Sequence, residues 1–253
     1  MICSLMIDCD DAADFSGNTG VALGRPFAAY PLLAARASGM ITRHYVVTES
    51  PPVKGAALQY DAAIIDPPKS SAGLLSRPEQ LLRHGEAHVA EELKSDKESL
   101  ELLVLLSAHA PAVTRDLIEA GIEALQNRPE LDSAVSVSPY NRWNPFFARK
   151  ETPEGLLAPY VSQAQASHAD AWFPDWGVCI LRPRCLADAK GDRPAPWMGE
   201  KVLPLKQWGG GPIDYLWQVP SLEYWLKKNG FTDLAGTMEL QPKPQLAPKT
   251  DRR

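Results

Sequence analysis

Four aspartates, Asp8, Asp10, Asp11 and Asp14, crowd the segment DCDDAADFSGN at 8–18, which holds no lysine or arginine. Carboxylates at this density either hold a cation or form a solvated polar loop, and their sign repels a phosphate. His109 follows the apolar run LLVLLS at 102–107. A lone imidazole there serves either as a ligand-binding group or as a hydrogen-bonded structural one. His84 and His88 in HGEAH are spaced i, i+4, close to Glu91 and Glu92. Helical spacing would put both rings on one face, but the order is not the His-Glu-x-x-His of zinc proteases, and a solvated helix face is the expectation. Asp214 stands between the apolar Ile213 and Tyr215. That context predicts partial burial, and a buried carboxylate needs a partner or a metal, which makes Asp214 the best metal candidate. Cys3, Cys9, Cys179 and Cys185 show no Cys-x-x-Cys spacing, which predicts neither a zinc site nor a disulfide framework.

The elements that must position these groups follow from apolar periodicity. Ile2–Ile7 reads as a buried strand, followed by a polar loop up to Leu23. Pro26 opens a helix through Ala37, with Gly39 as its C-cap. Arg43–Thr48 is β-branched and aromatic, hence a strand; Val53–Tyr60 is a short helix and Ala62–Ile65 another strand. Pro78–Lys94 has helical spacing of Leu81, Leu82, Val89 and Leu93. Leu102–Leu106 is apolar throughout, so both of its faces must be covered, as in a central parallel strand. Thr114 caps a helix to Gln126, and Ala134–Val137 is a strand. Beyond Pro139 the pattern breaks into short β-like pieces over 141–161, then strands at Gly177–Arg182 and Val202–Leu205. A last helix spans Pro220–Asn229, with Gly230 as its C-cap. Strands alternating with helices predict βαβ units: an α/β fold, three layers, with a mostly parallel sheet. In such sheets ligands sit outside the carboxyl ends of the strands, which directs attention to the loops at 8–24, 66–77 and 107–114.

The bulk numbers agree with one large domain. The chain has 253 residues, of which 45% are hydrophobic and 23% charged. A net charge of −5 excludes a global basic footprint for nucleic acid. No apolar run approaches the roughly 18–20 residues a bilayer demands. The apolar start lacks a basic flank and runs into aspartates, so a cytoplasmic protein without a membrane segment is expected. The Pro-rich end, QPKPQLAPKTDRR, reads as disordered, giving a domain over 1–238 and a tail over 239–253.

Several segments in register resemble the CMP-sialic acid synthetase (acylneuraminate cytidylyltransferase) family. GNTGVALGRPFAAYPLLAARASGMITRHYVVTES (17–50) resembles its Lys-Asn, Gly-x-Pro-Leu, helix and Val-Ser-Thr-Asp opening. SRPEQLL (76–82) is similar to its Arg-Pro segment, and LLVLLSAHAPAVTRDLIEAGIEAL (102–125) to its Leu-Leu-Gln-x-Thr-Ser-Pro strand and helix. SAVSVSPYNRWNPFFARK (133–150) resembles the Ser-Val-x-x stretch, and GPIDYLWQ (211–218) with EYWL (223–226) resembles the Asp-Ile-Asp metal motif. WFPDWGV (172–178), WMGEKVLPLKQWGG (197–210) and YWLKKNG (224–230) are similar to an acyl- or phosphonate-type cytidylyltransferase branch.

The resemblance implies a Rossmann-like nucleotidyltransferase fold with a small β-rich extension near 140–175 that in the family packs against a second subunit, hence a homodimer. It implies transfer of CMP from CTP to an acidic sugar or similar acid, with release of pyrophosphate and dependence on Mg²⁺. Carried over position by position, Asn18 and Arg77 would hold the nucleotide, Ser107 and His109 would line the base or acceptor, and Asp214 would hold metal. Arg142, Asn144, Asp175 and the neighbouring Trp176 fall on the acceptor side by position. The chain also departs from the pattern. The family's first-loop Arg and two Lys fall at Asp8, Ala12 and Gly17, Pro212 takes the place of the first metal Asp, and the central-strand Gln and Thr are Ser107 and His109. Two readings follow. Either other cations, such as Arg25, Arg43, Lys54 or Lys69, serve the phosphates, or the chain is a catalytically degenerate relative that binds a nucleotide, a sugar acid or a partner.

Overall fold

The computed structural model describes residues 1–9, 20–68, 78–140, 144–161, 170–188 and 195–233. Eleven strands and six helices alternate along these segments. The first strand, β1 (Ile2–Ile7), is buried along its whole length, as its unbroken apolar run requires. β2 (Val21–Ala22) and β3 (Arg25–Pro26) form a tight hairpin before α1 (Ala29–Arg36). β4 (Arg43–Val47), α2 (Pro51–Gln59) and β5 (Ala63–Ile65) follow, then the long α3 (Pro78–Ser95) and the central β6 (Leu102–Ser107). α4 (Arg115–Asn127) leads to β7 (Ser133–Pro139), and a small hairpin of β8 (Arg149–Glu151) and β9 (Leu157–Pro159) branches off. The chain closes with β10 (Trp172–Leu181), α5 (Pro183–Asp188), β11 (Val202–Lys206) and α6 (Val219–Lys228).

Seven strands make one sheet in the order β11-β7-β10-β6-β1-β4-β5. Every pairing is parallel except the two that β10 makes, with β6 and β7. Helices α1, α2 and α4 cover one face through Leu32, Val53, Ala57, Ile118, Ile122 and Leu125. Leu81, Leu82, Val89 and Leu93 of α3 cover the other, against Leu5, Val47 and Leu103. The fold is therefore a three-layer α/β arrangement with a mostly parallel, Rossmann-like sheet. Thr114 caps α4 as expected, its hydroxyl accepting from the Leu117 N–H at 3.3 Å. No described helix is long and apolar enough to cross a membrane.

The first helix begins three residues later than its pattern suggests, because Leu23 and Gly24 both take positive φ (46° and 75°) and turn the β2–β3 hairpin first. Nor is Gly39 its cap: the Ala37 N–H closes the helix onto the Leu33 carbonyl at 3.0 Å. At the end of α6 the expected glycine does its work one residue beyond the cap, Asn229. Gly230 has φ 89°, and the Phe231 and Gly230 N–H groups donate to the Leu226 and Lys227 carbonyls, a Schellman arrangement. β10 is the largest difference, starting five residues before Gly177. A register shift between Pro174 and Cys179 accommodates the residues that read as strand breakers. The tail expected over 239–253 lies outside the described residues.

Candidate functional site

The chain leaves β1 toward β4 on one side, while β6 returns on the other side of β1, so the strand order reverses between β1 and β6. A reversal of this kind opens a crevice at the carboxyl ends of the two strands. Sheet hydrogen bonding runs just past those ends, the Ala108 N–H meeting the Ile7 carbonyl at 3.1 Å and the Asp8 N–H meeting Val47 at 3.2 Å. The side chains that come next are therefore placed by the sheet itself.

They are Asp8, Thr48 and His109, all buried (5%, 0% and 3% exposed). The Thr48 hydroxyl donates to Asp8 Oδ2, and Nε2 of His109 lies 3.7 Å from Asp8 Oδ1. Neither ring nitrogen of His109 has a hydrogen-bond partner among the described residues. Ser107 is half-buried, and its hydroxyl accepts from the His109 N–H at 3.3 Å. The His109 carbonyl accepts from the Ile213 N–H at 2.9 Å, which fastens the segment carrying Asp214 to the same loop. Asp214 is half-buried, as its apolar neighbours suggest, and its N–H donates to the side-chain oxygen of Gln218 at 2.8 Å. The structure thus brings Ser107, His109 and the Asp214 segment together.

A second polar cluster lies across β7, β10 and β11. Asp175 is buried (1% exposed), and its two oxygens accept from the Ser136 hydroxyl, from the Ser138 hydroxyl at 2.7 Å, from Gln207 at 2.9 Å and from the Gly177 N–H at 3.2 Å. The cluster extends to Gly210, whose N–H donates to Ser138 and whose carbonyl accepts from the Tyr140 phenol. Burial, reinforced by the Asp175 charge, pushes that phenol above its ordinary pKa. Asp175 is therefore engaged by the chain's own donors. Asn144 likewise serves its own turn, its side-chain oxygen accepting from the Phe146 N–H at 3.0 Å. Asn18, Arg77 and Arg142 lie outside the described residues.

Arg43 opens β4 at the amino edge of the sheet, opposite the crevice, and holds Glu92 at 2.9 Å and Asp96 at 2.7 Å. It cannot serve phosphates at the carboxyl edge. Arg25 donates to the Thr232 carbonyl at 2.7 Å, and Lys54 is paired with Asp66 at 2.8 Å; Lys69 lies outside the described residues. His84 Nε2 is 3.0 Å from the Asp66 carbonyl oxygen, while His88 is exposed. No group of three His, Cys, Asp or Glu able to hold a metal occurs among the described residues, and all four cysteines are buried. Sequence reasoning missed Thr48 and read Asp8 as the site of a displaced cation and as one of an acidic cluster whose other members, Asp10, Asp11 and Asp14, lie outside the described residues. The signal was available in register: Asp8 and Thr48 directly follow paired buried strands.

No protein-family model and no curated protein matches the sequence. Solved structures do match. One is CMP:2-keto-3-deoxy-manno-octonic acid synthetase complexed with CTP, with a TM-score of 0.60 and 12% identity over 89% of this chain and 98% of that one. Another is 4-diphosphocytidyl-2C-methyl-D-erythritol synthase from Anaerococcus prevotii, with a TM-score of 0.56 and 13% identity over 90% of this chain and 96% of that one. At these identities the likeness establishes the fold.

Proposed function

We propose that the chain is a cytidylyltransferase that moves CMP from CTP to a small, hydroxyl-bearing acid and releases pyrophosphate. The observation that supports this most is the strand-order reversal between β1 and β6, with a buried imidazole just past it that has no hydrogen-bond partner among the described residues, in a fold shared with two cytidylyl-transferring proteins over about nine-tenths of the chain. In this reading Asn18 and Arg77 hold the nucleotide, and Ser107 and His109 line the crevice. Arg142 belongs to the acceptor side, where Asn144 and Asp175 shape the wall through the backbone they hold. Mg²⁺ takes one or two carboxylates together with phosphate oxygens and water. Asp214 is the carboxylate offered for it, and Pro212 stands where the resemblance places the first metal aspartate. Asp214 with the triphosphate's own oxygens meets the minimum, and the ion would neutralise charge on the phosphates. The chain's own contribution is to bind, orient and exclude water.

A specific observation favours a second reading, a relative that binds without turning over. Asp8 occupies the end of β1 where the resemblance places a cation, and Arg25, Arg43 and Lys54 have other partners. Calorimetric titration with CTP and excess Mg²⁺, repeated with CMP and ATP, separates the two. Saturable binding of CTP that ATP does not match, followed by pyrophosphate release with acidic acceptors, is the expected result. Binding without release under any acceptor would favour the second reading, and no binding of any nucleotide would defeat the first and leave a sugar acid or a protein partner as what the chain binds.

A further inference from the structure

We infer that His109 is the proton acceptor of this site, with Asp8 and Thr48 as its positioning residues; the inference rests on the cytidylyl-transfer reading for its substrate but not for its geometry. A buried polar group without a partner loses its hydration with nothing in return, so such groups in folded proteins have a reason, a ligand or a catalytic role among them. His109 is 3% exposed and leaves both ring nitrogens without partners among the described residues. Its surroundings decide what the ring can do. Asp8 Oδ1, 3.7 Å from Nε2, belongs to a carboxylate whose other oxygen already accepts from Thr48. At 3.7 Å the two are beyond hydrogen-bond distance, but a carboxylate oxygen is an acceptor, so the tautomer that suits this approach is the one protonated at Nε2. That leaves Nδ1 as a bare lone pair inside the crevice. The arrangement sets an imidazole beside a carboxylate that is itself held in place by a hydroxyl, so that a small closing of the 3.7 Å gap would fix the tautomer. Other titratable groups on the same segments, among the described residues, are Cys9, buried after Asp8, Glu49, exposed after Thr48, and Asp214, half-buried after Ile213.

The chemistry needs such a group. When an acceptor hydroxyl attacks CTP, its oxygen forms a bond to the α-phosphorus and its O–H bond breaks. The bond from that phosphorus to the bridging oxygen breaks as well, and pyrophosphate leaves with the electron pair. The proton released goes to Nδ1 of His109, and the Asp8 carboxylate then faces an imidazolium. Burial of the ring keeps water from taking part, so ligand entry has to open the crevice around it.

Two measurements on the full chain test this. Long-range proton–nitrogen NMR of the wild-type protein, with the His109 signal identified by its loss in His109→Asn among five histidines, reads the tautomer directly and needs no nucleotide. An Nε2-protonated ring is expected, and an Nδ1-protonated one overturns the assignment. In turnover, His109→Ala should lower kcat by about 10²–10⁴-fold while the CTP Kd stays within about twofold, and added imidazole should restore part of the rate. Asp8→Asn should lower kcat in the same direction with CTP binding kept. Unchanged kcat in His109→Ala would overturn the proton acceptor and leave cytidylyl transfer standing. Absence of CTP binding in the wild type would instead overturn cytidylyl transfer, with the tautomer still deciding the dyad.

Discussion

Asp175 illustrates how one buried side chain organises a neighbourhood. A carboxylate taken out of water is tolerated only when donors replace the lost hydration, and here four do: Ser136, Ser138, Gln207 and Gly177. The residue sits within the irregular stretch of β10, next to Trp176, a non-glycine at φ 57° that the Trp197 ring meets at 5.8 Å. Replacing one acceptor oxygen by an amide nitrogen sets a donor against donors. Asp175→Asn is therefore expected to destabilise the fold by about 1–3 kcal/mol, read from the urea midpoint. The loss should be accompanied by faster hydrogen exchange at Gly210, whose N–H reaches Ser138 within the same cluster. An unchanged midpoint would mean that the hydroxyls reorient at no cost.

At the level of elements, glycines inside helices show packing overruling propensity. Gly55 in α2 is exposed, with nothing within 4 Å of the position a Cβ would take. Gly121 in α4 is pressed against β10 and β11, so a Cβ there would meet Ile180 and come within 2.8 Å of Leu205. Alanine favours a helix interior over glycine by about 1 kcal/mol, whereas overpacking a core costs about 1–3 kcal/mol. Gly55→Ala is expected to raise stability by about 0.5–1 kcal/mol, and Gly121→Ala to lower it despite the same gain in propensity. Thermal unfolding of the two variants side by side checks the opposite signs. If both stabilise, α4 rides on the sheet more loosely than the contacts indicate.

For the whole molecule, the β8–β9 extension raises the matter of assembly. It exposes Phe147, Leu156, Leu157 and Tyr160 at 61–75%, and an isolated two-stranded hairpin is marginally stable without something to pack on. The homodimer proposed from the resemblance would cover this surface. Sedimentation at micromolar concentration should give a dimer that Leu157→Asp dissociates with the helical circular dichroism kept; a wild-type monomer would remove the second subunit from the account. The layers, five of the six helices and most strands were legible in the sequence, because largely apolar runs such as ICSLMI and LLVLLS read as buried strands and the 3.6-residue stripe of α4 faces a core, whereas the short α5 carries no such stripe. Asp214 beside Ile213 was legible for the same local reason. The antiparallel insertion of β10 between β6 and β7, the continuation of β10 through Pro174 and Gly177, and the meeting of Asp8, Thr48 and His109 were not. Those three residues come from segments about 40 and 60 positions apart, and periodicity reports which face a residue takes, not which strands lie side by side. Only the strand order decides that neighbourhood, because assembling the sheet sets the ends of β1, β4 and β6 next to one another and brings an aspartate and a histidine from distant segments to 3.7 Å.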